Sequence, residues 1–293
     1  MFSTQVFLLC LILVGLIAAK ARLVDEKSRI SLTDLVLNVF LPCTILVSFF
    51  GTSRSELPSL GIMVIISIGT LFISFFLAKI LFIKAKPEQK KVLLYAMLIP
   101  NASFIGFPLI ESIFGTASLS YAAAYLIPLR AVLWSVGLSI FAGGKEKILK
   151  IIFHPCMAAT YLGLIVMFFD FKPPELAIRL IESLGNCTTP LSMMVVGCVL
   201  GQTRVKNLLN PLVFYFSFVR LILVPLIIMG ILLIFRPMYL IAGVSVIMAG
   251  TPAGVTTAIL ADKYGADSEL ASKMVFISTL LSLLTVPALV WLL

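Results

Sequence analysis

Apolar residues recur along this chain in ten runs that are long enough to cross a lipid bilayer. About 20 apolar residues are needed for a helix to span roughly 30 Å of hydrocarbon. The predicted segments are 3–19, 30–50, 59–83, 92–113, 117–142, 149–169, 176–200, 211–235, 239–262 and 268–293. Short polar connections separate them. The pattern predicts an all-α integral membrane protein with ten transmembrane helices.

The fourth and ninth segments are interrupted by proline and glycine near their middle. The fourth reads IPNASFIGFP over residues 99–108, and the ninth reads AGTPAG over residues 249–254. Inside a bilayer a broken helix survives only where protein or trapped water replaces the lost backbone hydrogen bonds. Matched breaks in the two halves of a membrane protein indicate the substrate site of a transporter.

The composition supports a single membrane unit. Of the 293 residues, 61% are hydrophobic and 12% are charged. Soluble domains are about 45–50% apolar and about 25% charged, so no part of this chain is polar enough to form a separate soluble domain. The five cysteines all fall within apolar segments and show no metal-binding spacing. We therefore predict no metal site and no cofactor.

The net charge of +9 is distributed unevenly over the connections. Fourteen Lys and Arg residues belong to odd-numbered connections and four to even-numbered ones. Short cytoplasmic loops collect basic residues, so the odd connections should face the cytoplasm and both termini should lie outside the cell membrane. The basic residues also follow the first apolar run instead of preceding it, which favours a first transmembrane helix over a cleaved signal peptide.

The two halves of the chain share a pattern that predicts an internal repeat. An acid, an asparagine and a proline recur at equal spacing, as Asp34, Asn38 and Pro42 in the second segment and as Glu182, Asn186 and Pro190 in the seventh. The offset of 148 residues pairs a first repeat over 1–142 with a second over 149–293. Because each repeat has five helices, the second must be inverted, as in many alternating-access carriers.

The order of these motifs resembles that of the auxin efflux carrier family. The matching residues are Leu41-Pro42, Pro100-Asn101 through Gly106 to Pro108-Leu109, His154-Pro155 through Gly163, Pro190-Leu191 through Gly197, Arg220 through Pro225, Thr251-Pro252-Ala253, Lys263-Tyr264-Gly265, Ser278 through Ser282, and Pro287. The resemblance covers nearly the whole chain. The long cytosolic loop of many plant members is absent, which favours the small bacterial type.

The resemblance implies a ten-helix inverted 5+5 fold in which broken helices four and nine cross at prolines, here Pro108 and Pro252. Helices 1, 2, 6 and 7 would form a scaffold that dimerises, and helices 3–5 and 8–10 would form a moving transport domain. The implied function is secondary transport of small organic anions, such as dicarboxylates or auxin-like carboxylates, by an elevator-type mechanism. A sodium-coupled organic anion symporter of the bile-acid type remains the alternative.

The breaks themselves suggest how an anion would bind. Each internal helix N-terminus exposes N–H groups and a partial positive charge, which suits a carboxylate. The candidate substrate-binding residues there are Asn101, Ser103, Gly106, Pro108, Thr251, Pro252 and Gly254. Asn101 can donate to an anionic ligand, or it can instead occupy carbonyls that the proline leaves without partners.

Five charged residues in apolar segments complete the candidate site. Arg130 lies midway along the fifth segment, where a buried charge needs a cavity or a partner, so it either binds substrate or pairs with Glu111. Arg220 is likewise a charged residue within an apolar segment, and we consider it a candidate for contact with the substrate or for gating. Asp34 and Glu182 lie nearer helix ends and could carry protons if burial raises their pKa values. Asn38 and Asn186 are predicted to hydrogen-bond across the scaffold.

Other function classes find little support in the sequence. A serine or metal-dependent intramembrane hydrolase needs a nucleophile with a base or a pair of histidines, and His154 is the sole histidine. A channel would show a repeated polar lining. A sodium site would need acidic and amide ligands beside both breaks, whereas only Thr251, Thr256 and Thr257 surround Pro252. We therefore expect a carrier and not an enzyme.

Overall fold

In a computed structural model, all regular elements of the described residues are helices, joined at one point by an isolated β-bridge. The structure describes residues 2–50, 54–133, 140–141, 155–169, 171, 173–202, 210–254 and 256–292. His154 lies outside these ranges, so the expectation that involves it concerns a residue that is not described.

The described helices follow the predicted apolar segments. In the first half they are α1 (Phe2–Lys20), α2 (Glu26–Phe50), α3 (Arg54–Leu81), α4 (Pro87–Leu98), α5 (Ala102–Phe114) and α6 (Leu119–Val132). In the second half they are α7 (Pro155–Phe169), α8 (Glu175–Gly185), α9 (Thr188–Gln202), α10 (Pro211–Phe235), α11 (Tyr239–Ala249), α12 (Thr256–Lys263) and α13 (Ser268–Leu292). The fourth and ninth segments are each two helices, as predicted, and the seventh is also divided, at Asn186 and Cys187.

Four of these helices, α2, α3, α10 and α13, are long and apolar enough to cross a membrane. Their outer faces are correspondingly apolar. On α3 the side chains of Ile65, Phe72, Phe76 and Ile80 are all more than half exposed, and they recur on one side of the helix. Large apolar side chains in contact with water are costly, whereas lipid covers them without penalty. The chain is therefore a multi-pass membrane protein.

Among the described residues, three complete π-helical turns each end two residues before a proline. The turns are Val36–Phe40, Ala102–Gly106 and Val219–Leu223, and the prolines are Pro42, Pro108 and Pro225. A proline ring clashes with the carbonyl four residues earlier and offers no N–H to it. Widening the preceding turn relieves this clash without ending the helix. These prolines therefore shape helices instead of breaking them.

Polar caps define where two of the long helices begin. The Asp25 carboxylate accepts a hydrogen bond of 2.8 Å from the Ser28 backbone N–H at the start of α2. Hydrogen bonds from Ser28 hold the pKa of Asp25 below its ordinary value. The Asn210 side chain accepts in the same way from the Leu212 N–H at the start of α10, 2.9 Å away. Each cap satisfies an N–H that has no partner within its helix.

The first of two compact units comprises Met1–Ile62, Ser103–Ala124 and Ile152–Thr203. In it α1 lies directly against α9. A Cβ atom on Gly197 would overlap the Ile12 carbonyl oxygen, and one on Gly15 would overlap the Met194 carbonyl. The helices approach this closely only because both positions lack a side chain.

The same unit joins α2 to the divided seventh segment. The Thr44 hydroxyl donates to the Gly185 carbonyl at 2.9 Å and shares a hydrogen bond of 2.6 Å with the Thr188 hydroxyl. Asn38, in contrast, donates to the Asp34 carbonyl at 2.9 Å. The prediction that Asn38 bonds across the scaffold is therefore wrong, because this exposed amide satisfies its donor on the preceding turn of its own helix.

The second unit comprises Met63–Ala102, Tyr125–Ile151 and Arg204–Leu293. Here α3 is tied to α6 by a hydrogen bond of 2.7 Å from the Ser67 hydroxyl to the Tyr125 carbonyl. The Phe82 ring, near the end of α3, packs edge-on against Tyr215 of α10, with ring centroids 5.6 Å apart. This unit holds the interruption at Pro252 and the first residues, up to Ala102, of the interruption predicted over 99–108.

The close contact of α1 with α9 gives a stability prediction. Gly197→Ala should lower the free energy of unfolding by about 1–3 kcal/mol, because the new methyl group meets backbone that cannot move aside. The midpoint of thermal unfolding in detergent would be read with a thiol-reactive dye that reports the buried Cys156 and Cys198. Gly61→Ala is the matched control, since nothing lies within 4 Å of its Cβ position. Equal midpoints for the two variants would contradict the close contact.

Candidate functional site

Two short extended stretches cross inside the second unit, one after the end of α4 and one after the end of α11. The Asn101 backbone N–H donates to the Pro252 carbonyl at 2.7 Å, and the Gly254 N–H donates to the Ile99 carbonyl at 3.1 Å. Pro100 and Ala253 lie opposite each other as an antiparallel bridge. We call this contact, formed by Ile99–Asn101 and Pro252–Gly254, the crossing.

The prolines of the crossing fit their positions because neither has to donate a hydrogen bond there. The two bonds use the N–H groups of Asn101 and Gly254, and these residues follow Pro100 and Ala253 directly. Proline also disfavours helical backbone at the residue before it, which ends α4 at Leu98 and leaves Ile99 extended. The extended stretches that follow α4 and α11 therefore form hydrogen bonds with each other.

The prediction that Pro108 forms the crossing is wrong; Pro100 takes that place. Pro108 directly follows the π-helical turn of α5, and the widened turn leaves room for its ring. Gly106, also predicted to meet substrate, is the last residue of that turn. Both are buried, but their place in α5 gives Pro108 a shaping role instead of a pairing role.

Side chains from three other positions of the second unit hold the crossing. The Ser278 hydroxyl of α13 accepts from the Ala253 N–H at 3.1 Å. The Tyr95 hydroxyl of α4 donates to the Thr256 hydroxyl at 3.0 Å. Arg220, in the π-helical turn of α10, donates to the Thr251 carbonyl at 3.1 Å and to the Met97 carbonyl at 3.4 Å. Arg220 therefore bonds two backbone carbonyls, those of Thr251 and Met97, near the ends of the interrupted helices.

The other side of the crossing, where α5 and α12 begin, is different; we call it the amino-terminal side. There the Asn101 side chain is 5% exposed and its Nδ2 atom has no hydrogen-bond partner. The Thr257 hydroxyl, in the first turn of α12, is fully buried and likewise has none. An unpaired buried donor costs about 1–3 kcal/mol, so such groups mark places where a ligand or water belongs.

Gly254 permits the close approach that the crossing needs. A Cβ atom at this position would lie 2.9 Å from the Ile99 carbonyl oxygen and 3.3 Å from the Thr256 hydroxyl. Its N–H makes one of the two crossing bonds, and its carbonyl accepts from the Thr257 N–H at 2.9 Å. Gly254 therefore connects the crossing to the start of α12.

Buried charge in the described residues is positive. The charged side chains with less than 9% exposure are Arg130, Arg220 and Lys273, all in the second unit, and no carboxylate is among them in the described ranges. Lys273 pairs with the exposed Glu269 one turn away. Arg130 lies close enough to the Tyr95 hydroxyl to interact with it electrostatically. The buried charged side chains among the described residues are therefore all cationic.

The other predicted residues belong to the first unit. Glu111 accepts a hydrogen bond of 2.8 Å from the Thr189 hydroxyl within the first unit. Ser103 is half-buried in the π-helical turn of α5. Asp34 and Glu182 are exposed in the structure, and their role as proton carriers stays a prediction. The pairing of Glu111 with Arg130 stays a prediction.

Sequence reasoning did not identify Tyr95, Thr257 or Ser278 as parts of this site. Tyr95 precedes Pro100 by five residues, and Thr257 follows Pro252 by five. A hydroxyl group five residues from each proline is the sequence feature that could have identified Tyr95 and Thr257. Ser278 carried no such signal, because its position depends on how α13 packs.

Comparison with known proteins identifies a family and three relatives. The chain matches the family described as "Membrane transport protein" over residues 1–151 and 144–291. A transporter of Methanothermobacter thermautotrophicus that has not been characterised is 28% identical over 97% of this chain and 96% of its own. One from Methanocaldococcus jannaschii is 27% identical over the same shares. A candidate malonate transporter of Rhizobium meliloti is 28% identical over 49% of this chain and 45% of its own.

Gly254 offers a direct test of the crossing. Gly254→Ala places a methyl group against the Ile99 carbonyl and should lower the free energy of unfolding by about 1–3 kcal/mol. Gly230→Ala in α10 is the matched control, because nothing lies within 4 Å of its Cβ position. The measurement is the midpoint of thermal unfolding in detergent. A Gly254→Ala protein as stable as the control would rule out the crossing in this form.

Proposed function

The chain belongs to the Membrane transport protein family, which includes the auxin efflux carriers, and from this premise we propose that it is a secondary carrier of small organic anions. It is a transporter and not an enzyme. The substrate site is the amino-terminal side of the crossing, where the Asn101 side-chain Nδ2 atom and the Thr257 hydroxyl have no partners. The unpartnered Asn101 amide is the observation that carries the proposal.

A carboxylate suits this site for two physical reasons. The first turn of α12 presents backbone N–H groups and the positive end of a helix dipole, and hydrogen bonds to a charged acceptor are the strong ones. Asn101 and Thr257 add side-chain donors within five residues of Pro100 and Pro252. A carboxylate seated there would satisfy both side chains at once.

We propose a small dicarboxylate as the substrate. Arg130 supplies a second positive charge near Tyr95 of the same unit, and its guanidinium has the fork geometry that matches a carboxylate. The relative from Rhizobium meliloti is named as a candidate malonate transporter, and malonate is a small dicarboxylate. For export of such an anion, an inside-negative potential contributes about 2.3 kcal/mol per charge per 100 mV.

We further propose an inverted five-plus-five repeat of ten transmembrane helices with both termini outside. Support comes from glycine positions at the same 148-residue offset: Gly15 of α1 meets α9, and Gly163 of α7 meets the Phe49 ring of α2. In this arrangement the first helix of each repeat packs against the second helix of the other. The uneven distribution of basic residues supports the orientation.

Transport is proposed to follow an elevator-type mechanism. All contacts of the crossing named above lie within the second compact unit, so that unit carries the site as a whole. It contains most of the predicted transport helices, whereas residues 103–124 belong to the first unit with the proposed scaffold helices. We propose that the scaffold also forms a homodimer.

Counterflow in proteoliposomes tests the function. Vesicles loaded with malonate should accumulate labelled malonate, and Asn101→Ala should weaken apparent affinity by about tenfold or more, because a hydrogen bond to a charged group is lost. Asn38→Ala is the matched control, since Asn38 is exposed and bonds its own helix. Runs with imposed pH and sodium gradients would identify the coupling ion.

Two results would contradict the proposal. One is the absence of counterflow for mono- and dicarboxylates with a protein that unfolds cooperatively. The other is wild-type affinity in the Asn101→Ala variant, which would move the anion away from the crossing.

A further inference from the structure

Arg220 is the largest side chain in the described residues that is almost completely buried, at 1% exposure. None of the ion pairs described in this structure includes it. Its guanidinium instead donates to two backbone carbonyls, those of Thr251 and Met97. A buried cation without a carboxylate is costly, so a compensating negative charge must come from elsewhere.

That charge comes from two helix ends. Met97 lies in the last turn of α4, and Thr251 lies two residues beyond the end of α11. The carbonyls at a helix C-terminus have no partners within the helix and together amount to about half a negative elementary charge. One planar guanidinium, with its several N–H donors, thus bonds two negative helix ends that meet at the crossing.

In many carriers with interrupted helices, carbonyl ends of this kind coordinate a transported sodium ion or proton. Here the same positions are already occupied by a side chain that is part of the protein. We propose that Arg220 is a built-in cation of the crossing, which keeps the crossing assembled without any inorganic cation. The inference deepens the proposed function, because it predicts that anion transport does not depend on sodium or potassium.

The position of Arg220 in its helix fits this role. It lies in the π-helical turn Val219–Leu223, ahead of Pro225, and such turns frequently accompany functional positions. The Tyr125 hydroxyl is near enough to interact electrostatically with the guanidinium, and Tyr125 is itself buried. The hydrogen bonds described for Arg220 are therefore to backbone carbonyls at helix ends.

The test asks whether the positive charge of residue 220 or only its side-chain volume is needed. Arg220→Met keeps much of the side-chain volume but removes the charge, and Arg220→Lys keeps the charge with fewer donors. Malonate counterflow should fall by about tenfold or more in Arg220→Met, because two hydrogen bonds from a charged group are lost, and should be partly retained in Arg220→Lys. Arg179→Met, which removes an exposed arginine from α8, is the control.

A second measurement separates this inference from the proposed function. The midpoint of thermal unfolding needs no substrate, and for the wild type it should be the same in sodium, potassium and choline chloride. Arg220→Met should unfold several degrees lower than Arg220→Lys. Wild-type counterflow, if present, should also be equal in the three salts.

Three outcomes would overturn the inference. Arg220→Met could match the wild type in stability and flux, or Arg220→Lys could fall as far as Arg220→Met, so that charge is irrelevant. Alternatively, wild-type stability or counterflow could require sodium or potassium. A missing malonate counterflow with salt-independent stability and the expected order of variants would instead count against the proposed function alone.

Discussion

The structure of the second unit depends on one constraint: two helices end inside an apolar medium, and their backbone groups must still be bonded. Hydrocarbon offers no partner to a free N–H or carbonyl. The crossing answers this with two hydrogen bonds between Ile99–Asn101 and Pro252–Gly254. The remaining groups are bonded by side chains from other helices, among them Ser278 and Arg220. The packing of α10 and α13 therefore follows from where the two helices break.

The direction of the peptide dipole divides the crossing into two chemically different sides. Carbonyl oxygens of α4 and α11 gather on one side, and Arg220 bonds them there. On the other side, the start of α12 presents N–H groups beside the unpartnered donors of Asn101 and Thr257. Arg220 thus bonds two carbonyls on one side, while the other side has two donors without partners. The two ends of a helix carry partial charges of opposite sign. The C-terminal ends at the crossing therefore have a structural role, and the N-terminal ends have the proposed ligand-binding role.

Much of this arrangement could be predicted from local sequence. Apolar length located the helices, and proline with glycine located the interruptions at Pro100 and Pro252. The sequence prediction chose Pro108 instead of Pro100 for the crossing and was wrong, because proline occurs both after a helix end and next to a π-helical turn inside a helix. The contacts of Arg220 with Met97 and of Tyr95 with Thr256 join residues 123 and 161 positions apart. No local spacing contains them, so only the packed chain reveals their roles.

The π-helical turns ahead of Pro42, Pro108 and Pro225 also affect how this chain can vary in length. A π-helical turn holds one residue more than the α-helical turn it replaces, and the helix on either side keeps facing the same neighbours. An insertion elsewhere in a helix would rotate everything beyond it by about 100° and expose buried faces. Single-residue insertions and deletions in the evolution of such carriers should therefore concentrate in these three turns, where a change of length alters only the local winding of the helix.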